Sequence, residues 1–307
     1  MSTFTLHTLG CGSAKPSVRH NPSSTVLNIR EKLFMIDCGE GTQLELQRQR
    51  LKFSRLNNIF LTHLHGDHCL GLPGLISTLA LLNKGGCVTI HTFKPGAKMF
   101  KKIFNYFCQD RPYEVIFNEI EPEEALIYED NSITVRTVPL NHRLPDVGFI
   151  FEEKPKQRHI IREMVDFYKV PIAQLSSIKD GNPFIREDGT IIPNEVLTRP
   201  ATPSIRYAHI SDTAYMPYLA EKIGAVDLLY HETTYLNEHS ADAAQRGHST
   251  AAQAAMTARD AGAKQLLTGH YSSRYKDESL FVKEAREIFE NSILNKDKKI
   301  GDPWISP

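Results

Sequence analysis

His63, His65, Asp67 and His68 place three imidazoles and one carboxylate within six residues. Neutral imidazole and carboxylate are ligands for zinc and similar divalent ions. A lone histidine near a strand end is usually a core or surface residue. Four ligand-type side chains in six residues, with Gly66 among them, point instead to a metal. The spacing agrees. His63 and His65 are two apart, so an extended backbone turns both to one side. Gly66 then permits a sharp turn that returns Asp67 and His68 toward the same point.

The flanking residues say what positions this cluster. Ile59-Phe60-Leu61 is a short apolar run that predicts a buried strand, and Leu70 to Leu75 reads as a turn opening a helix. The cluster therefore sits on the loop leaving the carboxyl end of a strand, where layered α/β proteins build their sites. The same placement recurs. Predicted strands over 32–36, 133–138, 205–210, 226–230 and 265–268 run into Asp37, His142, Asp212, Glu232 and His270. Asp37, before Gly39 and Gly41, is placed to orient the metal loop from behind. His63, His65, Asp67, His68, His142, Asp212 and His270 are seven candidate ligands. One metal takes three or four protein ligands, so seven favour two metals sharing a bridge.

Further strands are expected over 4–9, 25–29, 87–92, 113–117, 125–128 and 149–152. Helices are expected over about 43–50, 73–82, 98–107, 216–223 and 280–291. Gly247-His248-Ser249-Thr250 opens another helix, with Ser249 or Thr250 as its cap. The stretch 154–202 breaks the pattern: it is rich in proline and glycine and opens with Lys154, Lys156, Arg158 and Arg162. Its apolar residues predict a short helix and a hairpin, too small for an independent core, so it reads as a projecting arm.

Composition bounds the rest. The 307 residues are 41% hydrophobic, enough for a sizeable core, and Lys plus Arg equals Asp plus Glu at 36 each. Zero net charge removes the strongly basic signature of nucleic-acid binders, although a local patch suffices for that role. Five cysteines without C-x-x-C spacing predict reduced, mostly buried thiols. No apolar run reaches membrane-spanning length, and the amino terminus lacks a signal pattern.

Thr62 to His68 resembles the H-x-H-x-D-H signature of the metallo-β-lactamase superfamily, and the likeness covers about residues 4–150 and 205–290. Within that superfamily, Asp37-Cys38-Gly39-Glu40-Gly41-Thr42-Gln43, His231-Glu232-Thr233, Gly247-His248-Ser249-Thr250 and His270 to Tyr275 resemble the short-form ribonuclease Z family, the tRNA 3′-processing endonucleases. So does an arm inserted between the third and fourth metal motifs. The resemblance implies a metallo-β-lactamase-like αβ/βα sandwich of two mixed sheets flanked by helices. It is one α/β domain over 1–307, with 154–202 as an inserted tRNA-binding arm. Two Zn2+ per chain are implied: His63, His65 and His142 on the first, Asp67, His68 and His270 on the second, and Asp212 as the bridge. The implied protein is a cytoplasmic, homodimeric, zinc-dependent endoribonuclease. It removes the 3′ trailer from precursor tRNA and leaves a 3′-hydroxyl on the tRNA and a 5′-phosphate on the trailer. Asp67 would orient the nucleophile or take its proton while holding a metal. His248, with Glu232 as its orienting carboxylate, would protonate the leaving oxygen, or else only cap or pack its helix. Arg274 would hold a phosphate or pair with a surface acid. Lys154, Lys156, Arg158 and Arg162 would contact tRNA phosphates.

The chain departs from the family in three places. Val18 and His20 stand where a lysine and an arginine are usual, with Arg19 shifted. Val170-Pro171-Ile172-Ala173 replaces a Gly-Pro turn in the arm, and Ser211-Asp212-Thr213 replaces Gly-Asp-Thr. Two rivals remain: a small-molecule phosphodiesterase or hydrolase of the same superfamily, which needs no basic arm, and an RNA-binding module with a structural zinc. The ligand count opposes the second, because structural sites close with four ligands.

Overall fold

The computed structural model describes residues 4–296 and the backbone of 299–300. The apolar runs assemble into two seven-stranded sheets. In order across the first are Lys299–Ile300, Phe4–Gly10, Ser24–Ile29, Lys32–Ile36, Leu56–Phe60, Cys87–Phe93 and Glu114–Ile120. Across the second are Ser292–Leu294, Leu266–Gly269, Leu228–Glu232, Arg206–Ile210, Val147–Glu153, Ile133–Pro139 and Leu126–Glu129. Both are mixed. Lys32–Ile36 pairs antiparallel with Ser24–Ile29 but parallel with Leu56–Phe60. Arg206–Ile210 pairs antiparallel with Val147–Glu153 but parallel with Leu228–Glu232.

Alternating aromatic side chains join the two sheets. Phe60 of the first stands edge-on to Phe149 and Phe151 of the second, both with centroids 5.4 Å away, and Phe34 stands 6.0 Å from Phe151. Such edge-to-face contacts add specific geometry to apolar burial. Helices cover the outer faces. Thr42–Arg48, Leu72–Leu81 and Lys94–Phe107 bury Leu46, Leu75, Leu79, Phe100 and Phe104 with Leu33, Ile59 and Ile90 of the first sheet. On the second sheet, Ala251–Ala261 buries Ala251, Ala254, Ala255 and Ala258 against Ala208, Ile210, Leu229 and Leu266. That spacing is one helical face. A capping box fixes where this helix begins: Gln253 N–H donates to Thr250 Oγ1 at 3.2 Å, and Thr250 N–H donates to Gln253 Oε1 at 2.9 Å. The loop carrying His248 is thereby anchored.

The sheets and helices form one unit, which ends at Glu152 and resumes at Arg206; Glu153–Ile205 forms a second. The second unit contains helices Arg162–Phe167, Leu175–Lys179 and Asn194–Leu197 and two short antiparallel strand pairs. Val165, Val170, Ile178, Phe184, Ile192 and Leu197 cluster inside it. This corrects the expectation that the arm lacks a core. Its apolar residues are scattered along the chain, and only the turns gather them.

Other boundaries moved. The helix expected from 98 starts at Lys94, because Pro95 lies in the first turn, where no N–H partner is needed. The last helix ends at Arg286, and Ser292–Leu294 follows as a parallel edge strand that was not expected. Helix Ser240–Arg246 was not expected. Cys11, Cys38, Cys69 and Cys108 are buried, Cys87 is exposed, and all five are free. Among the described residues no helix is long and apolar enough to cross a membrane. Strand ends bring Asp37, the 63–68 loop, His142, Asp212, Glu232 and His270 to one rim.

Candidate metal centre

At this rim the donor atoms of His63, His65, His142 and Asp212 lie within 4.8 Å of one another, and so do those of Asp67, His68 and His270. Asp212 faces both groups. Its Oδ2 is 3.7 Å from His63 Nε2 and 3.9 Å from His142 Nε2, while its Oδ1 is 3.6 Å from His68 Nε2 and 3.3 Å from His270 Nε2. His65 Nδ1 is 2.9 Å from His63 Nε2 and 3.1 Å from His142 Nε2. Asp67 Oδ2 is 3.4 Å from His270 Nε2 and also accepts the Ala14 N–H at 2.7 Å. His248 joins a third grouping with Asp212 and His270.

Partners on the far side of the rings fix which nitrogen carries hydrogen. His142 Nδ1 is 2.7 Å from the Gly247 carbonyl. A carbonyl only accepts, so Nδ1 holds the hydrogen and Nε2 presents its lone pair. His68 Nδ1 stands 2.7 Å from Asp37 Oδ2, with the same result. For His63 the partner is Thr62 Oγ1 at 3.0 Å, which donates its own hydrogen to Asp37 Oδ2 at 2.9 Å and so accepts from the ring. For His270 it is Thr234 Oγ1 at 2.9 Å, which donates to Glu232 Oε2 at 2.6 Å. Four imidazoles thus turn their Nε2 atoms inward. Groups behind the ligands set ligand orientation and basicity in this way.

A divalent cation fits this set. Asp212 Oδ1 is buried without a well-formed hydrogen bond, a costly state for a carboxylate unless a cation faces it. Burial holds His63, His65 and His142 below the ordinary histidine range, so they are neutral, as ligands must be. At His68 burial opposes protonation, but Asp212 and Asp37 outweigh it and raise the pKa well above 6.5. Burial also opposes ionisation of Asp67 and Asp212. His270 and His68 outweigh it and hold both below the usual carboxylate range. The site draws positive charge to its centre. These residues could hold a divalent metal.

His248 stands apart from this pattern. Its Nδ1 is 3.0 Å from Glu232 Oε1, which also accepts the N–H groups of Thr213 and Ser249 at 3.0 Å each. Burial lowers the His248 pKa, but Glu232 and then Asp212 outweigh it and bring it to about 9. A protonated imidazole therefore borders a cavity of about 360 Å³ that His65, Asp67, Asp212 and His270 also line.

Several neighbours were missed from sequence. Thr62 and Thr234 act through hydroxyls, which carry no ligand signature. Asp146 is buried with Oδ2 3.1 Å from His63 Nδ1; burial and the charge of Asp212 push its pKa well above 3.8. Its only signal was an acid between Pro145 and an apolar strand. Arg143 and Arg246 line the cavity. Arg274, the arginine singled out earlier, does not; it pairs with Asp242 at 3.1 Å over the Tyr235 ring. In the arm unit, Lys156 Nζ bonds Glu153 Oε2 at 2.6 Å, Arg158 Nε donates to Thr198 Oγ1 at 2.7 Å, and Arg162 Nε pairs with Asp166 at 3.1 Å. Lys154 is half-buried in the same unit. Arg19 donates to the carbonyls of Lys276 and Tyr275 at 2.7 and 2.8 Å.

Two mixed sheets packed through aromatic side chains, helices outside, and clustered histidines and carboxylates on the strand ends define the metallo-β-lactamase fold. Ribonuclease Z of Bacteroides thetaiotaomicron is 52% identical over 295 residues, covering 96% of this chain and 93% of that protein. Ribonuclease Z of Bacteroides fragilis is 51% identical over 298 residues, covering 97% and 98%. The chain belongs to the ribonuclease Z family. The crystal structure of human tRNase Z, short form, matches with a TM-score of 0.71 at 24% identity, over 97% of this chain and 99% of that one. A family model described as Anti-Pycsar protein Apyc1 matches residues 4–142.

Thr62 links Asp37 to His63, so Thr62→Val should leave the sheets intact yet weaken metal binding roughly 10–100-fold, the usual effect of removing such a support. Competition with a chromophoric chelator measures this. Unchanged affinity would show that Asp146 alone orients His63.

Proposed function

We propose that this chain is a zinc-dependent endoribonuclease that cuts the 3′ trailer from precursor tRNA, leaving a 3′-hydroxyl on the tRNA and a 5′-phosphate on the trailer. The observation that carries the reading is Asp212, whose two oxygens face two ligand sets, in a chain half identical to ribonuclease Z proteins over nearly its whole length. His63, His65 and His142 would hold one zinc and Asp67, His68 and His270 the other, with Asp212 between. Bound there, the ions supply Lewis acidity and activate water near neutral pH. The chain's own groups do the rest. Asp67, fixed by the Ala14 N–H, orients the attacking water and can take its proton. Glu232 holds His248 protonated beside the cavity, where it can protonate the 3′-oxygen that leaves. The homodimer and the cytoplasmic setting rest on the family resemblance, and the five free thiols agree with a reducing compartment.

Incubation with a tRNA bearing a 3′ trailer, followed by mapping of the ends, tests the reading. Cleavage with the stated ends is expected, two metals per chain are expected by elemental analysis, and His65→Ala and Asp212→Ala should lose metal and nearly all activity. Hydrolysis of a chromogenic phosphodiester without cleavage of precursor tRNA would establish the small-molecule reading instead.

His248→Ala should keep both metals and slow cleavage by roughly 10²-fold or more, the usual contribution of a general acid. An acid acts only while protonated. Because Glu232 raises the His248 pKa, kcat should hold through neutral pH and fall as pH rises through the folded-state value, and the variant should lack that limb. A substrate with a better leaving group should recover much of the loss. An equal defect on natural and activated substrates counts against the role.

The arm supplies selection in this reading. Removing it should weaken precursor-tRNA binding and flatten its salt dependence, since phosphate contacts release counterions. Metal content and hydrolysis of a small phosphodiester should survive. Unchanged tRNA affinity would remove the arm from recognition.

A further inference from the structure

Two guanidinium groups line the cavity with no role assigned above. Arg143 follows His142, and Arg246 lies two residues before His248. Their loops are joined at one point: the Gly247 carbonyl bonds His142 Nδ1 at 2.7 Å. Gly247 has φ +73°, and a Cβ there would meet His142 Nδ1 at 2.8 Å, so the contact requires glycine. The two arginines therefore flank one seam of the cleft. Both are exposed, and neither has a carboxylate partner among the described residues, unlike Arg19, Arg162 and Arg274. The lining also carries Glu40, beside Gly39, which packs on the Asp67 backbone. The cleft thus has a cationic edge next to His248 and an anionic group next to Asp67.

That polarity has a chemical meaning for an RNA strand. We infer that Arg143 and Arg246 together grip the phosphate one nucleotide to the 5′ side of the scissile one, on the retained tRNA strand, and so fix which bond reaches the metals. This rests on the endoribonuclease reading. His248 is placed at the leaving 3′-oxygen, which belongs to the tRNA. The nucleotide bearing that oxygen continues, through its own 5′-phosphate, past the seam where Gly247 meets His142. A free, planar guanidinium binds phosphate bidentately, and phosphate contacts set register without reading sequence. Glu40 disfavours the opposite threading, which would place backbone phosphate beside a carboxylate.

The test uses the full-length, metal-loaded protein and trailer-bearing RNA made in two forms. One has natural linkages; the other carries a neutral methylphosphonate, on a 2′-O-methyl nucleotide, at the single link 5′ to the cut. For wild type, the neutral link should raise KM roughly tenfold or more, the scale of a lost hydrogen bond to a charged group, and should blur the cut site to neighbouring bonds. Arg143→Gln and Arg246→Gln should raise KM on natural RNA by a similar factor, with metal content unchanged, and should lose little further on the neutral link. Arg→Lys at each position should recover part of the loss. The same neutral link one nucleotide to the 3′ side should affect wild type and variants alike. Equal further losses in variants and wild type on the 5′ neutral link, or unchanged KM in both Gln variants on natural RNA, overturns the proposal while leaving the nuclease reading intact. No cleavage of either RNA by wild type overturns both.

Discussion

Two buried carboxylates, Asp37 and Glu232, hold the site in its working form. Each ends or follows a strand, one in each sheet. Each fixes one imidazole directly and a second through a threonine hydroxyl: Asp37 fixes His68 and, by way of Thr62, His63; Glu232 fixes His248 and, by way of Thr234, His270. A threonine that gives its hydrogen to a carboxylate has only its oxygen left for the ring. Tautomer choice is thus imposed by acceptors that cannot donate. The sandwich brings these two carboxylates to one rim, and the aromatic contacts between Phe60, Phe149 and Phe151 hold the two halves of the site together.

The same arrangement explains why the site draws cations. Asp37, Asp67, Asp146, Asp212 and Glu232 crowd five carboxyl groups around a histidine cluster in which burial keeps His63, His65 and His142 neutral. A buried carboxylate needs a paired charge. His68 lies between Asp37 and Asp212, and their charges raise its pKa well above the ordinary histidine range. A cation is favoured at this point. The site's electrostatics and its tautomers therefore favour the same occupant.

What could be read from sequence follows from how local each signal is. The clustering of His63 to His68 was legible because four ligand-type side chains share one loop and the two-residue spacing carries geometry. His142, Asp212 and His270 were legible because each stands at a strand end, a position the apolar runs mark. Thr62 and Thr234 were not, since a threonine next to a ligand looks like any other until its hydroxyl is seen between ring and carboxylate. Asp146 was hidden for a related reason: its partner His63 lies 83 positions away, counting 146 minus 63. The arm's small core escaped because no period links Val165, Phe184 and Leu197. The strand Ser292–Leu294 escaped because three residues carry no alternation to count.

Backbone strain falls on two residues of the rim. Asp37 has φ +58° and His270 φ +59°, in the left-handed region that non-glycine residues enter rarely. Glycine would adopt it freely at both places but has no side chain to offer there. The chain instead keeps a carboxylate at one and an imidazole at the other, and accepts a cost of order 1 kcal/mol or more at each. Hydrogen bonds hold the strained residues down: Asp37 N–H donates to the Phe60 carbonyl at 2.8 Å, and the next N–H after His270, that of Tyr271, donates to the Cys11 carbonyl at 2.8 Å. The first bond ties Asp37 to the strand that carries the metal loop. The second ties His270 to the loop bearing Ala14, whose N–H fixes Asp67. Each strained residue is thus clamped to an element that helps to position the candidate ligands.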